Sequence, residues 1–437
     1  MNRVGIILIM AIGVGALADV RADMSKEEIL SGADERIART RTADAVLRLV
    51  APDAEALQEG LPARIEQRQH KFLFGCNIFM LNRSRTADDN RAYERYFSEL
   101  FNYATLPFYW WSYTQEEGKP ADARTDAIIR WCTAHNVTTK GHPLAWNYVD
   151  PRWLPDDPVA AMGLQMDRIE RCVKRFAGDI DIWDAVNEAT QYSRRGTRTR
   201  APKLTEAINR MGVGEYVRDA FRRARAANPQ ATLVINDYRA DQAYIDKVLT
   251  ELDDEQGNAL YDVIGIQSHM HGRYWGAEKT WAVCERFAKF GKPLHFTETT
   301  LVSGPRTNGE WNTTPEGEER QATEAVEFYT VLFSHPAVEA ITWWDFSDQG
   351  AWQDAPAGFL RENMTPKPMY DELKKLIKGK WWTRTTEKVS SDGTVAFRGF
   401  LGDYDIVVKD GERELVGSFR LDTHDPRPIE VLLNESR

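Results

Sequence analysis

The chain has 437 residues, of which 42% are hydrophobic, so it can bury a large core and exceeds the length of a usual single domain. We expect one large domain with small additions. The formal net charge is −10, and 56 basic residues are interspersed among 66 acidic ones. Because the basic residues form no block that could follow a phosphate backbone, nucleic acid is excluded as an expected partner.

Residues 1–22 have the pattern of a secretory signal peptide. Arg3 precedes an apolar run from Val4 to Leu17, and small residues lead up to Ala18 and Ala22 as cleavage positions. The run is short for a membrane span, and no second segment of membrane length follows. We therefore expect a protein that is exported to the periplasm or the medium and has no membrane partner after cleavage. Our expectation for the oligomeric state is a monomer, although the sequence has no signal for it.

The four cysteines lie far apart and lack the close pairs of a zinc site or a redox motif. Most are expected to be buried as small apolar residues. One disulfide is possible in an exported protein, and the sequence does not pair them. No metal and no cofactor is predicted. The residues concerned are Cys76, Cys132, Cys172 and Cys284.

Short β-rich segments alternate with amphipathic helical segments over residues 71–379, and the pattern repeats eight times. Eight βα units in about 300 residues predict an α/β fold, the (β/α)8 TIM barrel. The strand candidates are FLFGCNI from Phe72, FNYATLP from Phe101, VTTKGHPL from Val137, IDIWDAVNE from Ile180, TLVIND from Thr232, DVIGIQSH from Asp262, PLHFTE from Pro293 and EAITWWDF from Glu339.

Two flanking regions depart from the barrel pattern. Residues 23–70 contain a helical stretch followed by two alternating segments, DAVLRLVA and ARIEQRQHKF. Residues 380–437 contain alternating segments separated by Asp-Gly and Gly-Asp pairs, which predicts a small antiparallel β module. We expect the amino-terminal strands to pack with this module. Trp381 and Trp382 favour a structural attachment to the barrel over a sugar-binding role.

Polar residues occur repeatedly where the predicted barrel strands end. In TIM barrels, catalytic side chains lie at the carboxyl ends of the strands, so these positions predict a site. A hydrophobic strand that ends in polar groups otherwise needs an explanation. The residues are Asn187 and Glu188 on the fourth strand, Asn236 and Asp237 on the fifth, Gln267 and His269 on the sixth, Glu298 on the seventh and Trp344 on the eighth.

Two carboxyl groups suffice to hydrolyse a glycosidic bond. Glu188 and Glu298 end the fourth and seventh strands, which face each other across the barrel mouth, and a separation of about 5 Å would suit the retaining mechanism. Asn187 can bind a sugar 2-hydroxyl, and His269 is placed to keep Glu298 ionised. Asn236 and Asp237 either cap the following helix or support Glu298, and the sequence favours neither.

Six motifs in order resemble glycoside hydrolase family 10, over about residues 72–370. They are GHPLAWN from Gly141, WDAVNEA from Trp183, INDY from Ile235, GIQSH from Gly265, FTET from Phe296 and WWDFSDQGAW from Trp343. The resemblance implies a retaining endo-β-1,4-xylanase with Glu188 as acid/base and Glu298 as nucleophile. It also implies sugar contacts from His142, Trp146, Asn187, Gln267, His269, Trp344 and Trp352.

The sequence departs from the family pattern after the second strand. TLPFYWWSY replaces the usual ENxxK, with Pro107, Phe108 and Trp111 in place of Glu, Asn and Lys. This predicts that aromatic surface replaces charge-assisted hydrogen bonds to the sugar. Further departures are Asn147 in place of His, Asp345 in place of Gly and Ala351 in place of Ser.

The predicted partner is therefore a polysaccharide, with xylan or a decorated xylan as the favoured substrate. A barrel glycosidase acting on glucan, mannan or a mixed-linkage glycan is the alternative, because hydroxyl-reading partners have changed. A carbohydrate-binding protein without activity is disfavoured because both carboxylates are present. The long loop that carries Trp311 either walls one end of the cleft or is mobile.

Overall fold

The structure is a computed structural model that describes residues 24–52, 57–254, 256–422 and 427–435. The predicted signal peptide, residues 1–22, lies outside these ranges. The strands are β1 (Thr42–Val50), β2 (Pro62–His70), β3 (Leu73–Asn77), β4 (Tyr103–Pro107), β5 (Thr138–His142), β6 (Ile182–Asn187), β7 (Thr232–Asp237), β8 (Val263–Met270), β9 (Leu294–Leu301), β10 (Arg306–Thr307), β11 (Glu310–Trp311), β12 (Val338–Trp343), β13 (Arg384–Lys388), β14 (Thr394–Phe400), β15 (Gly402–Asp410), β16 (Arg413–Leu421), β17 (Ile429–Leu432) and β18 (Asn434–Glu435).

The helices separate the strands along the chain. They are α1 (Lys26–Ser31), α2 (Ala33–Thr40), α3 (Ala87–Leu100), α4 (Trp110–Tyr113), α5 (Asp122–Ala134), α6 (Pro158–Arg175), α7 (Arg195–Arg200), α8 (Pro202–Met211), α9 (Val213–Ala227), α10 (Gln242–Lys247), α11 (Gly276–Ala288), α12 (Pro315–Ser334) and α13 (Pro368–Lys375). None of these described helices is both long enough and apolar enough to cross a membrane.

Eight parallel strands close into a barrel in the order β12, β3, β4, β5, β6, β7, β8, β9. The closing pair is β12 with β3, where Trp343 lies beside Cys76. Every residue of β9 is buried, as expected for a strand covered on both faces, and this explains the continuous apolar segments in the sequence. The predicted (β/α)8 barrel is confirmed. Each of the eight strand candidates overlaps one barrel strand, and three of those strands, β8, β9 and β12, extend beyond their candidates by one to three residues.

Capping residues fix where the outer helices begin, and α6 is an example. Asp157 caps α6 by accepting a hydrogen bond from the Ala160 backbone N–H, and Pro158 occupies the first turn. The inner face of α6 then buries Ile169 and Val173 in the core shared with the barrel. All four cysteines are free and buried, so the disulfide that the sequence allowed is not formed.

The flanking regions form one β module with its own apolar core. Strand β1 pairs with β14 and β17, while β2 pairs with β13 and β15. Leu47 and Ile65 from the amino-terminal strands are buried with Tyr404 and Ile406 from the carboxyl-terminal ones. The expectation that the two chain ends pack together is confirmed. At the start of β15, Gly402 has a φ of 152°, and a Cβ there would lie 1.9 Å from the Gln69 carbonyl oxygen.

Aromatic side chains join the module to the barrel. The Trp381 ring is buried against Phe333, with 4.3 Å between centroids, and also stacks on Phe74. The Trp382 ring meets the edge of His70 at 5.2 Å. Trp381 therefore packs among barrel side chains, as the favoured attachment role expects, whereas Trp382 packs on His70 of the module strand β2.

Candidate active site

A cavity of about 800 Å³ opens at the carboxyl ends of the barrel strands. Seven of the predicted site residues line it, namely Trp146, Glu188, Gln267, His269, Glu298, Trp344 and Trp352. The others, His142, Asn187, Asn236 and Asp237, lie behind that lining and are all buried. The barrel thus brings together residues that are up to 210 positions apart in the sequence, since Trp352 and His142 are separated by 352 − 142 = 210.

Glu188 follows the last residue of β6 and adopts the left-handed helical conformation, with φ 55° and ψ 39°. This conformation is uncommon outside glycine and is often found at functional sites. The Glu188 backbone N–H donates to the Asn236 carbonyl oxygen at 2.8 Å, which holds the turn against β7. Gln267 Nε2 donates to Glu188 Oε1 at 3.4 Å, and Arg194 Nη1 forms an ion pair with Oε2 at 2.5 Å.

Burial raises the pKa of Glu188 from its ordinary 4.5 to about 7. Arg194 opposes this rise, and the negative charges of Glu298 and Asp237 add to it. The carboxyl group is therefore close to half-protonated near neutral pH. That is the property of a group that must donate a proton and later accept one.

Glu298 lies on β9, and three side chains surround its carboxylate, two of them at hydrogen-bonding distance. Asn236 Nδ2 donates to Oε1 at 2.8 Å, His269 Nε2 lies 3.1 Å from Oε2, and His142 Nε2 lies 3.9 Å from Oε1. Burial works to raise the pKa of Glu298, but His142 and His269 outweigh it and hold the pKa below the ordinary value. Glu298 is therefore ionised at neutral pH.

Amide side chains connect the two glutamates. Asn187 Oδ1 accepts from Asn236 Nδ2 at 2.8 Å and from Gln267 Nε2 at 3.3 Å. Since Asn236 also donates to Glu298 and Gln267 to Glu188, one hydrogen-bonded row runs from carboxylate to carboxylate. Within the part of the chain that the structure describes, Asn187 Nδ2 is buried without a partner. It is a donor available to a ligand between the two glutamates.

His142 is oriented by a buried ion pair below the cavity. Its Nδ1 donates to Asp184 Oδ2 at 2.7 Å, and Lys140 Nζ lies 2.8 Å from the same oxygen. Burial opposes ionisation of Asp184, but Lys140 and His142 hold its pKa below the usual value. Sequence reasoning missed Lys140 and Asp184. Their signal was two charged residues inside strands that are otherwise uncharged.

The structure separates the roles of Asn236 and Asp237. Asn236 contacts Glu298 directly, whereas Asp237 accepts from the backbone N–H and hydroxyl of Thr190 at 3.0 and 2.7 Å. Helix α10 is capped by Asp241, which accepts from the Ala243 N–H at 3.1 Å. The alternative in which Asn236 and Asp237 cap that helix is therefore wrong.

Aromatic rings form the walls of the cavity. Trp146 stacks on Tyr148 at 4.4 Å, and Trp344 presents its ring to the edges of His142 and His269. Trp352 is 40% exposed and lies 4.7 Å from the His269 ring. Flat apolar rings beside an exposed opening suit the C–H faces of pyranose sugars.

The hairpin β10–β11 lies beside Trp352. Trp311 Nε1 donates to the Gln353 carbonyl oxygen at 2.9 Å, and the Trp311 ring lies 6.0 Å from that of His271. The hairpin thus packs on the loop that carries Trp352, and Trp311 itself is not among the residues that line the cavity.

The expectation for Phe108 is wrong. Its ring is fully buried against Tyr113 and Trp183, away from the cavity. The Phe108 N–H donates to the His142 carbonyl oxygen, so the strand alternation continues past Pro107 and turns Phe108 toward the helices. Tyr109 instead faces the cavity, and Trp111, 43% exposed, lines its rim. The prediction of an aromatic surface holds, with Tyr109 in place of Phe108.

Two other departures also have structural explanations. Asn147 is buried and donates to the Tyr192 carbonyl oxygen at 2.6 Å and to the Thr205 hydroxyl at 2.8 Å, which fixes the loop beside the cavity. The Asp345 carboxylate accepts the Trp352 backbone N–H at 3.0 Å. Burial raises the pKa of Asp345 to about 7.

Sequence reasoning also missed the loop residues of the cavity. Arg194, Arg200 and Tyr148 line it from loops, whereas Tyr238, the last residue of the INDY motif, directly follows β7. For the two arginines, the signal was the density of arginine in residues 194–200. In the described ranges, no group of three or more His, Cys, Asp or Glu side chains converges to hold a metal ion.

Comparison with known proteins identifies the family of the chain. The family model of glycosyl hydrolase family 10 matches residues 67–376. The chain is 28% identical to endo-1,4-beta-xylanase B of Thermotoga neapolitana over 280 residues, covering 60% of this chain and 75% of the relative. It is 24% identical to anti-sigma-I factor RsgI6 of Acetivibrio thermocellus, covering 86% of this chain and 46% of that protein.

Solved structures show the same fold. Xylanase 10B from Thermotoga petrophila in complex with xylobiose superposes with a TM-score of 0.58 at 24% identity, covering 71% of this chain and 95% of that chain. A thermostable mutant of Xyn10A from Cellvibrio japonicus gives 0.59 at 22% identity, covering 70% and 98%. Because the family model spans most of the chain and the barrel is shared, the chain belongs to glycosyl hydrolase family 10.

Proposed function

We propose that this chain is a retaining endo-glycosidase that hydrolyses a β-1,4-linked plant polysaccharide, with xylan or a decorated xylan as substrate. The observation that carries the proposal is the opposite protonation of two buried glutamates in one cavity. Glu188 has a pKa of about 7, while Glu298 is held ionised. This is the division of roles that glycosidic bond cleavage by two carboxyl groups requires.

In the first step, the Glu298 carboxylate attacks the anomeric carbon as Glu188 protonates the leaving oxygen. The bond from the anomeric carbon to the leaving oxygen breaks, and an ester between the sugar and Glu298 forms. The imidazole of His269 and the amide of Asn236 orient Glu298 for attack. The free Nδ2 of Asn187 is placed to donate to the hydroxyl next to the reacting carbon.

In the second step, Glu188 is a carboxylate and removes a proton from water. The water oxygen bonds to the anomeric carbon, the ester to Glu298 breaks, and Glu188 is protonated again. Arg194 Nη1, 2.5 Å from Glu188, stabilises the carboxylate that exists between the two steps. Two displacements at the same carbon retain its configuration.

The names of relatives support xylan as the substrate. Those of Thermotoga neapolitana, Arabidopsis thaliana and Paenibacillus barcinonensis are each named endo-1,4-beta-xylanase. The chain spans only 46% of RsgI6 and 39% of the plant enzyme. Tyr109 and Trp111 change the surface at the end of β4, which keeps glucan, mannan and mixed-linkage glycans as the alternative specificities.

The test is a product profile on a panel of xylan, arabinoxylan, glucan, mannan and mixed-linkage glucan, with NMR of the first product formed. We expect oligosaccharides from xylan and initial formation of the β-anomer. Initial α-anomer would contradict double displacement, and products from glucan or mannan alone would move the specificity to the alternative. Binding of xylan without any product would instead support a carbohydrate-binding protein without activity.

We also propose that the chain acts outside the cytoplasm. The support is the charged, apolar and small-residue pattern of residues 1–22. Amino-terminal sequencing of the protein recovered from the periplasm or medium tests this. We expect a mature chain that begins soon after Ala18 or Ala22.

A further inference from the structure

The loop between β6 and α8 carries a concentration of positive charge in an otherwise acidic chain. Residues 189–205 contain four arginines and one lysine and no acidic residue, while the whole chain has a net charge of −10. Two of these arginines, Arg194 and Arg200, line the cavity. The positive charge is therefore directed at the site, against the sign of the whole chain.

The two arginines are held in place by aromatic side chains and backbone contacts. The Arg194 guanidinium lies 5.3 Å from the Tyr238 ring centroid, and that of Arg200 lies 4.2 Å from Tyr148. The Arg200 carbonyl oxygen accepts from the Asp150 N–H at 3.1 Å, which ties the loop to the end of β5. The guanidinium groups are thus positioned before a ligand arrives.

These guanidinium groups have unused hydrogen-bonding capacity. A guanidinium has five N–H donors, and Arg194 directs Nη1 to Glu188. Across the described residues, Arg200 has no carboxylate within ion-pair distance. Asp237, which also lies near Glu188, already accepts three hydrogen bonds from Thr190 and Arg239.

We propose that Arg194 and Arg200 form a subsite for a carboxylate-bearing substituent, a uronic acid, on the part of the polysaccharide that leaves. This inference rests on the proposed function, because Glu188 marks the leaving-group side only if it is the acid/base. Arg194 contacts Glu188, so the subsite lies on that side. Guanidinium groups bind carboxylates through charge-assisted, bidentate hydrogen bonds, which a neutral sugar cannot match.

The experiment compares xylan that carries glucuronic acid with the same polymer after reduction of its carboxyl groups to alcohols. We expect kcat/KM to be about fivefold higher on the acidic polymer at low ionic strength, since a charged hydrogen bond is partly screened at an open cleft. Equal values would overturn the inference and leave the proposed function intact. Failure to cleave either polymer would overturn both.

Arg200→Gln and Arg198→Gln form a matched pair of variants. Both arginines lie on α7 and are exposed, but only Arg200 lines the cavity. We expect Arg200→Gln to reduce the acidic-to-neutral ratio of kcat/KM to near one, and Arg198→Gln to leave that ratio unchanged. An equal fall in both variants would show that the net charge of the surface, and no subsite, sets the preference.

Ionic strength gives a readout on the unmodified protein that does not depend on folding of a variant. Raising salt from about 0.02 M to about 0.5 M shortens the screening length several-fold. We expect the acidic-to-neutral ratio to fall toward one over this range. A preference that persists unchanged at high salt would overturn a charge-based subsite.

Discussion

The surroundings of Glu188 and Glu298 differ although both side chains are buried, at 7% and 4% exposure. Burial alone pushes the pKa of each carboxyl upward. Glu298 has two imidazoles beside it, which reverse the effect, whereas Glu188 has one arginine and the repulsion of Glu298, which do not. The difference teaches that the neighbouring charges, and not the depth of burial, move the two pKa values in opposite directions.

Asp345 is a third buried carboxyl at the barrel mouth. It is 6% exposed, and its only hydrogen bond in the described structure comes from the Trp352 N–H. With no cation bound to it, burial takes its pKa to about 7. Asp345 thus shows that burial at the barrel mouth raises the pKa of a carboxyl group when neither a cation nor several hydrogen bonds stabilise its charged form.

The largest effect is expected from Glu188→Gln, which removes the proton donor and keeps the shape. We expect kcat on polysaccharide to fall between about 10²-fold and 10⁴-fold. An aryl glycoside with an acidic phenol needs no protonation to leave, so its first step should be spared. Stopped-flow release of the phenol measures the first step on the aryl glycoside. A loss of that rate as large as the loss of kcat on polysaccharide would contradict the acid role.

Asp345→Asn tests how much stability the folded chain loses when the buried Asp345 carboxyl is ionised. Its pKa in the folded chain lies above the ordinary 3.8, so the folded state binds more protons than the unfolded state between about pH 4 and pH 7. Stability from this group is therefore lost as the pH rises through that window. We expect the asparagine variant to gain stability relative to the parent, up to about 4 kcal/mol above pH 7.

Denaturant melts from about pH 4 to about pH 8 give this difference. Asp371→Asn, an exposed change on α13, is the control and should show no such trend. A stability difference that stays constant with pH at Asp345 would show that its carboxyl is not perturbed by burial.

His269→Gln sharpens the account of Glu298. The imidazole helps to hold the pKa of Glu298 down, so its removal should raise that pKa. Glu298 must be ionised to attack, and activity is lost as the pH falls through its pKa. The acidic limb of the kcat/KM profile should therefore move to higher pH. The control His335→Gln breaks a histidine–glutamate pair outside the cavity, with Glu285, and should leave that limb in place.

Arg194→Gln is expected to give the smallest effect, a shift of the alkaline limb of the kcat/KM profile against pH. Arg194 lowers the pKa of Glu188 against burial, so its removal should raise that pKa further. Glu188 must be protonated to donate, and activity is lost as the pH rises through its pKa. The alkaline limb should move to higher pH. An unchanged limb would show that the ion pair has no influence on proton donation.

Sequence reasoning reached the barrel and both glutamates because the eightfold pattern and the strand-end rule are local signals. It failed at Phe108 because the direction of a side chain past the strand end depends on the hydrogen bond to His142. It missed Arg194 because no spacing rule links a loop residue to Glu188. It noticed Asp345 as a departure, but the pKa shift comes from burial at the barrel mouth, which exists only in the folded chain.

The most direct test of opposite roles for the two glutamates is covalent labelling with a 2-fluoro glycoside that carries a good leaving group. The fluorine slows the second step, so the ester between sugar and nucleophile accumulates and survives proteolysis. Mass analysis of the peptides should place the sugar on Glu298. A label on Glu188, or on any other residue, would contradict the assignment.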